Sequence, residues 1–503
     1  MKTEIIQANE RRVFRIPAVS IHVSESITTR TLLRSWLIAL VPHILVVLVF
    51  IRYPIALDDM YQYDMLARSI RNGVGYRWYS RADVAILEPY LSQIVDLSQM
   101  TFPENGLLTT FRAPGYPLFL AGLYALVPST IRFFLTRLVQ AGLFAFMTPA
   151  IIVLSRKMGL NCKAAYLAGF GFAFYPILLL YPVGLASENL FIPLVLFSFL
   201  VLIWASEGSR LIKIVMAGLL MGFAMLTRSI LAPFVALASL WIARYGKIGR
   251  KAGALFLCAS FGVCLPWAIR NTMIMQRPAF VESSLGYNLY VGYHPQGNGG
   301  FVSKVAILPL TILDDTVRDH YCTTMALRYL QEDPLEAAKR VIQRAVFFAG
   351  TETREFTYFY SNNYLGYIAQ PWLGLLYLLL IVPWVSTMIF CLLGLATMPK
   401  RFTVLVLAFV LAYTVPHLFI MAEPRFHLVL VPVLMPFAAK GWAEWRRVTL
   451  SLKLRGTQLL GTTRLLKLAF ILFAILWLLD LIEKWEVLMP LMSTNGNRLY
   501  LPY

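Results

Sequence analysis

The stretch that decides the fold is SWLIALVPHILVVLVFIRYPIALDDMYQYD, residues 35–64. Between Trp36 and Ile51 it carries no Asp, Glu, Lys or Arg. A membrane-spanning helix needs about 20 mainly apolar residues, and 35–53 supplies them. The run then ends on two adjacent carboxylates, Asp58 and Asp59. An apolar crossing delivering an acidic pair to its far edge is the motif from which the rest of the chain is read.

The same apolar pattern recurs near 133–155, 164–182, 188–205, 212–227, 229–244, 253–269, 372–397, 402–421, 425–439 and 466–486. With 35–53 this predicts an all-α polytopic membrane protein of about 11 transmembrane helices. The segment 114–128 is also apolar, but short and bracketed by Pro114, Pro117 and Pro128; it reads as a half-inserted or interfacial helix. The 503 residues are 58% hydrophobic and 14% charged, against about 25% charged in an ordinary soluble domain. A soluble multidomain enzyme, a collagenous or disordered chain and a disulfide framework are excluded on these figures. Five scattered cysteines, with no CxxC and no Cys/His cluster, indicate neither a zinc knuckle nor a disulfide scaffold.

The formal charge is +19. In a soluble chain that excess would suggest nucleic acid, but no basic polar domain carries it. It falls in the joints 1–34, 156–163, 207–213, 244–251, 400–401 and 440–467. These hold 24 of the 45 Lys and Arg and only five acids, which accounts for the whole excess. Lys and Arg favour cytoplasmic loops, and with these joints inside, the eleven spans alternate without conflict. A full crossing at 114–128 would break the alternation. The expected organisation is a cytoplasmic tail 1–34, then a transmembrane catalytic module 35–269 containing a long extracytoplasmic loop 54–132. A second extracytoplasmic loop, 270–371, follows, then transmembrane helices over 372–486 and an extracytoplasmic tail 487–503. Both loops carry short helices: 60–72 in the first, and 320–348 in the second, where Leu327, Leu330, Leu335, Ala338, Val341 and Ile342 recur at helical spacing around a break at Asp333-Pro334. Plasma (inner) membrane is the expected location.

Ionisable groups at membrane depth are costly and usually functional. In this topology Asp58, Asp59, Arg112, Glu188, Arg228, Arg270-Asn271 and the Glu423, Arg425, His427 turn all fall on the extracytoplasmic side. Adjacent carboxylates can supply a general base. Arginine forks match phosphate oxygens and can stabilise a leaving phosphate. The combination suggests transfer of a group from a lipid-linked phosphate. Each residue also has a plainer reading. Asp58-Asp59 can cap the helix that follows, Arg228 can anchor at the interface, and Glu188 can face a helix dipole. Arg270-Asn271 after Pro266-Trp267 can be an interfacial anchor, and Glu423-Pro424-Arg425 a turn with a local ion pair. His294 and His320 read as loop residues, His43 and His417 as packed polar groups. No HExxH or DxD is present, so no metal is demanded.

The order of these motifs resembles polytopic glycosyltransferases of the GT-C fold, in the branch with the protein O-mannosyltransferase-like and lipid A aminoarabinose-transferase-like enzymes. The pieces that carry it are Asp58-Asp59-Met60-Tyr61 with Ala67 and Asn72-Gly73; Phe111-Arg112-Ala113-Pro114-Gly115-Tyr116-Pro117; Ser187-Glu188-Asn189; Gly218 to Ala224 with Leu226-Thr227-Arg228; Pro266 to Asn271; Gly286-Tyr287-Asn288-Leu289; Asp333-Pro334; and Glu423-Pro424-Arg425-Phe426. The resemblance implies a polyprenyl- or dolichyl-phosphate sugar donor and inverting displacement by an acceptor hydroxyl. It puts the catalytic base on Asp58 or Asp59; the family usually has Asp-Glu here, so Asp-Asp leaves the choice open. Arg425 would contact the lipid phosphate. Tyr61, Arg112, Glu188, Arg228, Arg270, Asn271 and Glu423 are the further expected substrate-binding residues. No cofactor is required, and a divalent metal is compatible but not indicated. A lipid-linked glycan ligase or polymerase, a transporter or flippase, and a scaffold are the competing readings. A transporter more often shows an internal repeat and mid-membrane binding groups, neither of which the sequence displays.

Overall fold

The computed structural model describes residues 27–92, 95–97, 100–353, 356–357, 360, 366–454 and 460–493. Most of the expected tails, 1–26 and 494–503, lie outside the described residues. The first half runs α1 (Thr29–Val49), α2 (Asp59–Arg71), β1 (Arg77–Trp78), α3 (Arg81–Leu91), β2 (Leu107–Leu108), α4 (Gly115–Ala125), α5 (Arg132–Lys157), α6 (Cys162–Ala173), α7 (Pro176–Leu180), α8 (Glu188–Ser206), α9 (Leu211–Thr227), α10 (Ala232–Tyr245) and α11 (Arg250–Met275). The second runs α12 (Leu285–Tyr293), α13 (Ser303–Leu310), α14 (Asp315–Glu332), α15 (Pro334–Ala349), α16 (Trp372–Leu395), α17 (Lys400–Phe419), α18 (Val431–Leu454) and α19 (Leu460–Leu491). The two short strands pair antiparallel, Arg77 opposite Leu108.

Among the described residues, eight helices are long and apolar enough to cross a membrane: those at Thr29–Val49, Ser129–Lys157, Glu188–Ser206, Arg250–Met275, Trp372–Leu395, Lys400–Phe419, Pro424–Arg446 and Arg464–Leu491. The other three expected spans are apolar but differ in form. Residues 162–183 make two helices bent by 53°, because Pro176 cannot continue the ladder of α6 and forces Tyr175 into an extended conformation. The apolar helices Leu211–Thr227 and Ser229–Tyr245 are 17 residues or fewer, roughly 25 Å at 1.5 Å per residue. Arg228, extended at φ −149° and ψ 110°, separates them. The segment 114–128, expected to be interfacial, contains the 11-residue α4.

The helix at Pro424–Arg446 is central, 83% buried, whereas Arg464–Leu491 at 11% and Thr29–Val49 at 22% are peripheral. At the centre the rings of Phe199, Phe234 and Phe409 interlock at 4.9–5.2 Å. Lipid tails are as apolar as leucine, so close backbone approach at small residues supplies much of the cohesion between such helices. The contact of α16 with α18 uses this: a Cβ on Gly394 would strike the Phe437 carbonyl, and one on Gly441 the Phe390 carbonyl.

Four of the basic joints, 156–163, 207–213, 244–251 and 400–401, gather at one end of the bundle. Lys157 pairs with Glu207 at 2.6 Å, Lys247 N donates to Ser206 O, and Trp241 Nε1 donates to Arg401 O at 2.7 Å. The opposite end carries the starts of α2 and α8 and the ends of α9 and α11, with α12–α15 packed nearby. Asp333 caps α15 by accepting from Glu336 N, which explains the break in the 320–348 pattern. Cys322 is fully buried among Tyr287, Tyr290 and Trp78, because α14 turns its inner face onto that aromatic cluster.

Candidate functional site

The site begins where α1 ends. Arg137, buried within α5, donates to the carbonyls of Val183, Tyr53, Ile51 and Phe50. A buried guanidinium is tolerable only with such partners, and here it fixes the chain that leads into 54–59. Asp58 then caps α2, its Oδ1 accepting from Met60 N at 2.9 Å. Asp59, the first residue of α2, points elsewhere. One oxygen pairs with Arg112 and the other with Arg425 Nη2 at 3.1 Å. The adjacent pair is thus split into a helix cap and a member of an arginine cluster.

Arg112 reaches Asp59 from the loop between β2 and α4. Its Nε donates to Gln62 Oε1 at 2.9 Å, and its guanidinium lies 5.6 Å from the Tyr63 ring. The loop is held from both sides. Tyr76 donates to the Arg112 and Ala113 carbonyls. Asp315, at the start of α14, accepts from Thr109 Oγ1 and from Thr110 N and Oγ1. Arg425 enters from the 3-10 turn Pro424–Leu430 that leads into α18. Glu188, at the start of α8, pairs with Arg228 at 2.7 Å; Arg228 lies 5.0 Å from the Phe426 ring, next to Arg425. Glu188 also attracts Arg425 through space. Three guanidiniums thus surround two carboxylates. The side chains of Arg112, Arg228 and Arg425 stay 19–28% exposed, so the cluster opens to a ligand. Arg425 Nε is buried without a hydrogen-bond partner among the described residues.

Burial alone would raise the Asp59 carboxyl. The guanidiniums of Arg112, then Arg425 and Arg228, outweigh it and hold it at about 2.

The structure brings Asp59, Arg112, Glu188, Arg228 and Arg425 together. The remaining expected residues serve the walls. Arg270 donates to Thr109 O and to Asn271 Oδ1, both at 2.8 Å, and lies over the Trp267 ring. Asn271 donates to the carbonyls of Phe280 and Val281, which turns the chain after α11. Glu423 accepts from Phe301 N at 2.6 Å and anchors the loop before α13. The Tyr61 hydroxyl donates to Asp83 O, away from the cluster, and its neighbour Tyr63 takes the place beside Arg112. His427 stacks on Trp384 at 3.9 Å rather than joining the arginines.

The chain matches no model of a known protein family and no curated protein. The site therefore stands on its own geometry. Sequence reasoning missed Gln62, Tyr63, Tyr76 and Asp315. Gln62 and Tyr63 directly follow the acidic pair, and their place on α2 was the available signal. Asp315 lies about 200 residues from the loop it holds, and no local pattern announces such a contact. Also missed was Glu282, which accepts from Ser229 Oγ at 2.6 Å and secures the turn after Arg228. Among the described residues no three His, Cys, Asp or Glu side chains gather as a metal site requires.

Proposed function

We propose that the protein is a membrane glycosyltransferase of GT-C type that moves a single sugar from a polyprenyl- or dolichyl-phosphate donor to an acceptor hydroxyl. The observation that carries this reading is the open cluster of Arg112, Arg228 and Arg425 around Asp59 and Glu188, at the end of the bundle opposite the basic joints. Lys and Arg favour cytoplasmic loops, which supports reading the site as extracytoplasmic, with the plasma (inner) membrane and eleven crossings as parts of the same proposal.

The acceptor oxygen attacks the anomeric carbon while its proton passes to the Asp59 carboxylate. The bond from that carbon to the phosphate oxygen breaks, and its electron pair leaves with the polyprenyl phosphate. The configuration at the sugar inverts. The arginines meet the growing charge on the leaving phosphate, where preformed donors are most effective. Asp59 rather than Asp58 is the base, because Asp58 is engaged as a helix cap.

Membranes containing the protein, incubated with radiolabelled polyprenyl-phosphate sugars, should pass label to protein, lipid or polysaccharide. Asp59→Asn should lower transfer by about 100-fold or more. Asp58→Asn should retain most of it, since Asn caps as well as Asp. Full activity in Asp59→Asn sinks the catalytic assignment, and no transfer from any lipid-phosphate sugar sinks the function.

A further inference from the structure

Each oxygen of Asp59 is paired with a different guanidinium, Arg112 on one side and Arg425 on the other. These are two of the groups to which the proposed function gives the lipid phosphate. A carboxylate and a phosphate present the same oxygen pair to a guanidinium fork, and one N–H cannot serve both fully. Resting on the glycosyltransferase reading, we infer that Asp59 occupies the place of the donor's phosphate, and that the arriving lipid phosphate displaces it, so the base is released only once the donor is seated.

Three features of the site fit this exchange. The first is access: Asp59 is 31% exposed and Arg425 28%, so an incoming phosphate can reach the bridge. Glu188, at 6%, is shut against Arg228 and forms the fixed part of the cluster. The second is spare capacity, since Arg425 Nε is a buried donor with no partner among the described residues. An unmade bond of that kind is costly, and phosphate oxygens outnumber those of a carboxylate. The third is chemical. A carboxylate held at about 2 by guanidiniums is a weak base at neutral pH. Transfer of those guanidiniums to phosphate removes the cause of the depression, and the phosphate's own negative charge adds to the rise. Deprotonation of the acceptor then follows donor binding in order.

The test uses the full-length protein in lipid nanodiscs and polyprenyl phosphate as the probe. Asp59→Asn and Asp59→Ser leave the arginines without their internal carboxylate, so both should bind the lipid phosphate about tenfold or more tighter than the wild type, although transfer is lost. Equal or weaker binding by the folded variants overturns the exchange and makes Asp59 an organiser of the arginines. No binding by the wild type or either variant overturns the reading on which the inference rests, and the inference with it. The wild type alone gives a second measurement. At a pH of about 4, infrared difference spectra should show a protonated carboxyl appearing when polyprenyl phosphate binds. A spectrum in which the lipid binds and no carboxyl changes overturns the inference without any variant.

Discussion

Asp58 and Asp59 are chemically identical and adjacent, yet the fold gives them different tasks, because the start of α2 turns one carboxylate onto its own backbone and the other toward two arginines. The same dependence on surroundings governs Glu352, in the segment between α15 and α16. It is 1% exposed, accepts from the Tyr175 hydroxyl at 2.7 Å, faces His427 Nε2 at 3.4 Å, and its Oε2 lacks a partner among the described residues. Burial drives its carboxyl from 4.5 up to about 8, and the Tyr175 hydrogen bond opposes this only in part. Between these two values the folded protein holds the proton and the unfolded chain does not, so stability falls as pH rises through that window and levels off above it. Thermal unfolding in detergent should show Glu352→Gln gaining on the wild type between pH about 5 and 8; a parallel pH dependence in both proteins contradicts the assignment. At this scale the sequence named the acidic pair and the arginines, because charges stand out against apolar runs. It did not reveal which carboxylate caps and which bridges, because that depends on Arg425, 366 residues away.

The helices were legible one by one, because each apolar run must bury its own backbone hydrogen bonds in lipid. Their imperfections were less so. The run 164–182 reads as one continuous span, and Pro176 breaks it into α6 and α7. Packing between elements was illegible, and α16 with α18 shows why. Gly394 and Gly441 look unremarkable in sequence, but each lies against a carbonyl of the other helix. Gly394→Ala should therefore destabilise the protein by about 1–3 kcal/mol, the usual range for overpacking a tight core. Gly122→Ala, at a position with nothing within 4 Å of the added carbon, is the control. The measurement is the difference in unfolding midpoint, and equal midpoints would remove the close-approach argument.

For the whole molecule, the three-dimensional arrangement separates two ends of the bundle within the described residues. The Lys- and Arg-rich joints 156–163, 207–213, 244–251 and 400–401 meet at one end, and the candidate site lies at the other. Cysteines introduced at Arg81 and Lys304 should react with an impermeant maleimide added from outside, while one at Lys247 should not. The opposite labelling pattern would invert the topology. The sequence by itself determined that the chain is a helical membrane protein, where its apolar helices fall, and that its excess charge collects in alternate joints. These properties follow from local composition, because lipid and water select segments by hydropathy and charge. Only the tertiary structure decided that Asp59, Arg112, Glu188, Arg228 and Arg425 share one site, that Tyr63 rather than Tyr61 borders it, and that Asp315 and Arg270 hold its wall. Such contacts join segments hundreds of residues apart, and their energies depend on distances of a few ångströms that only the packed helices set.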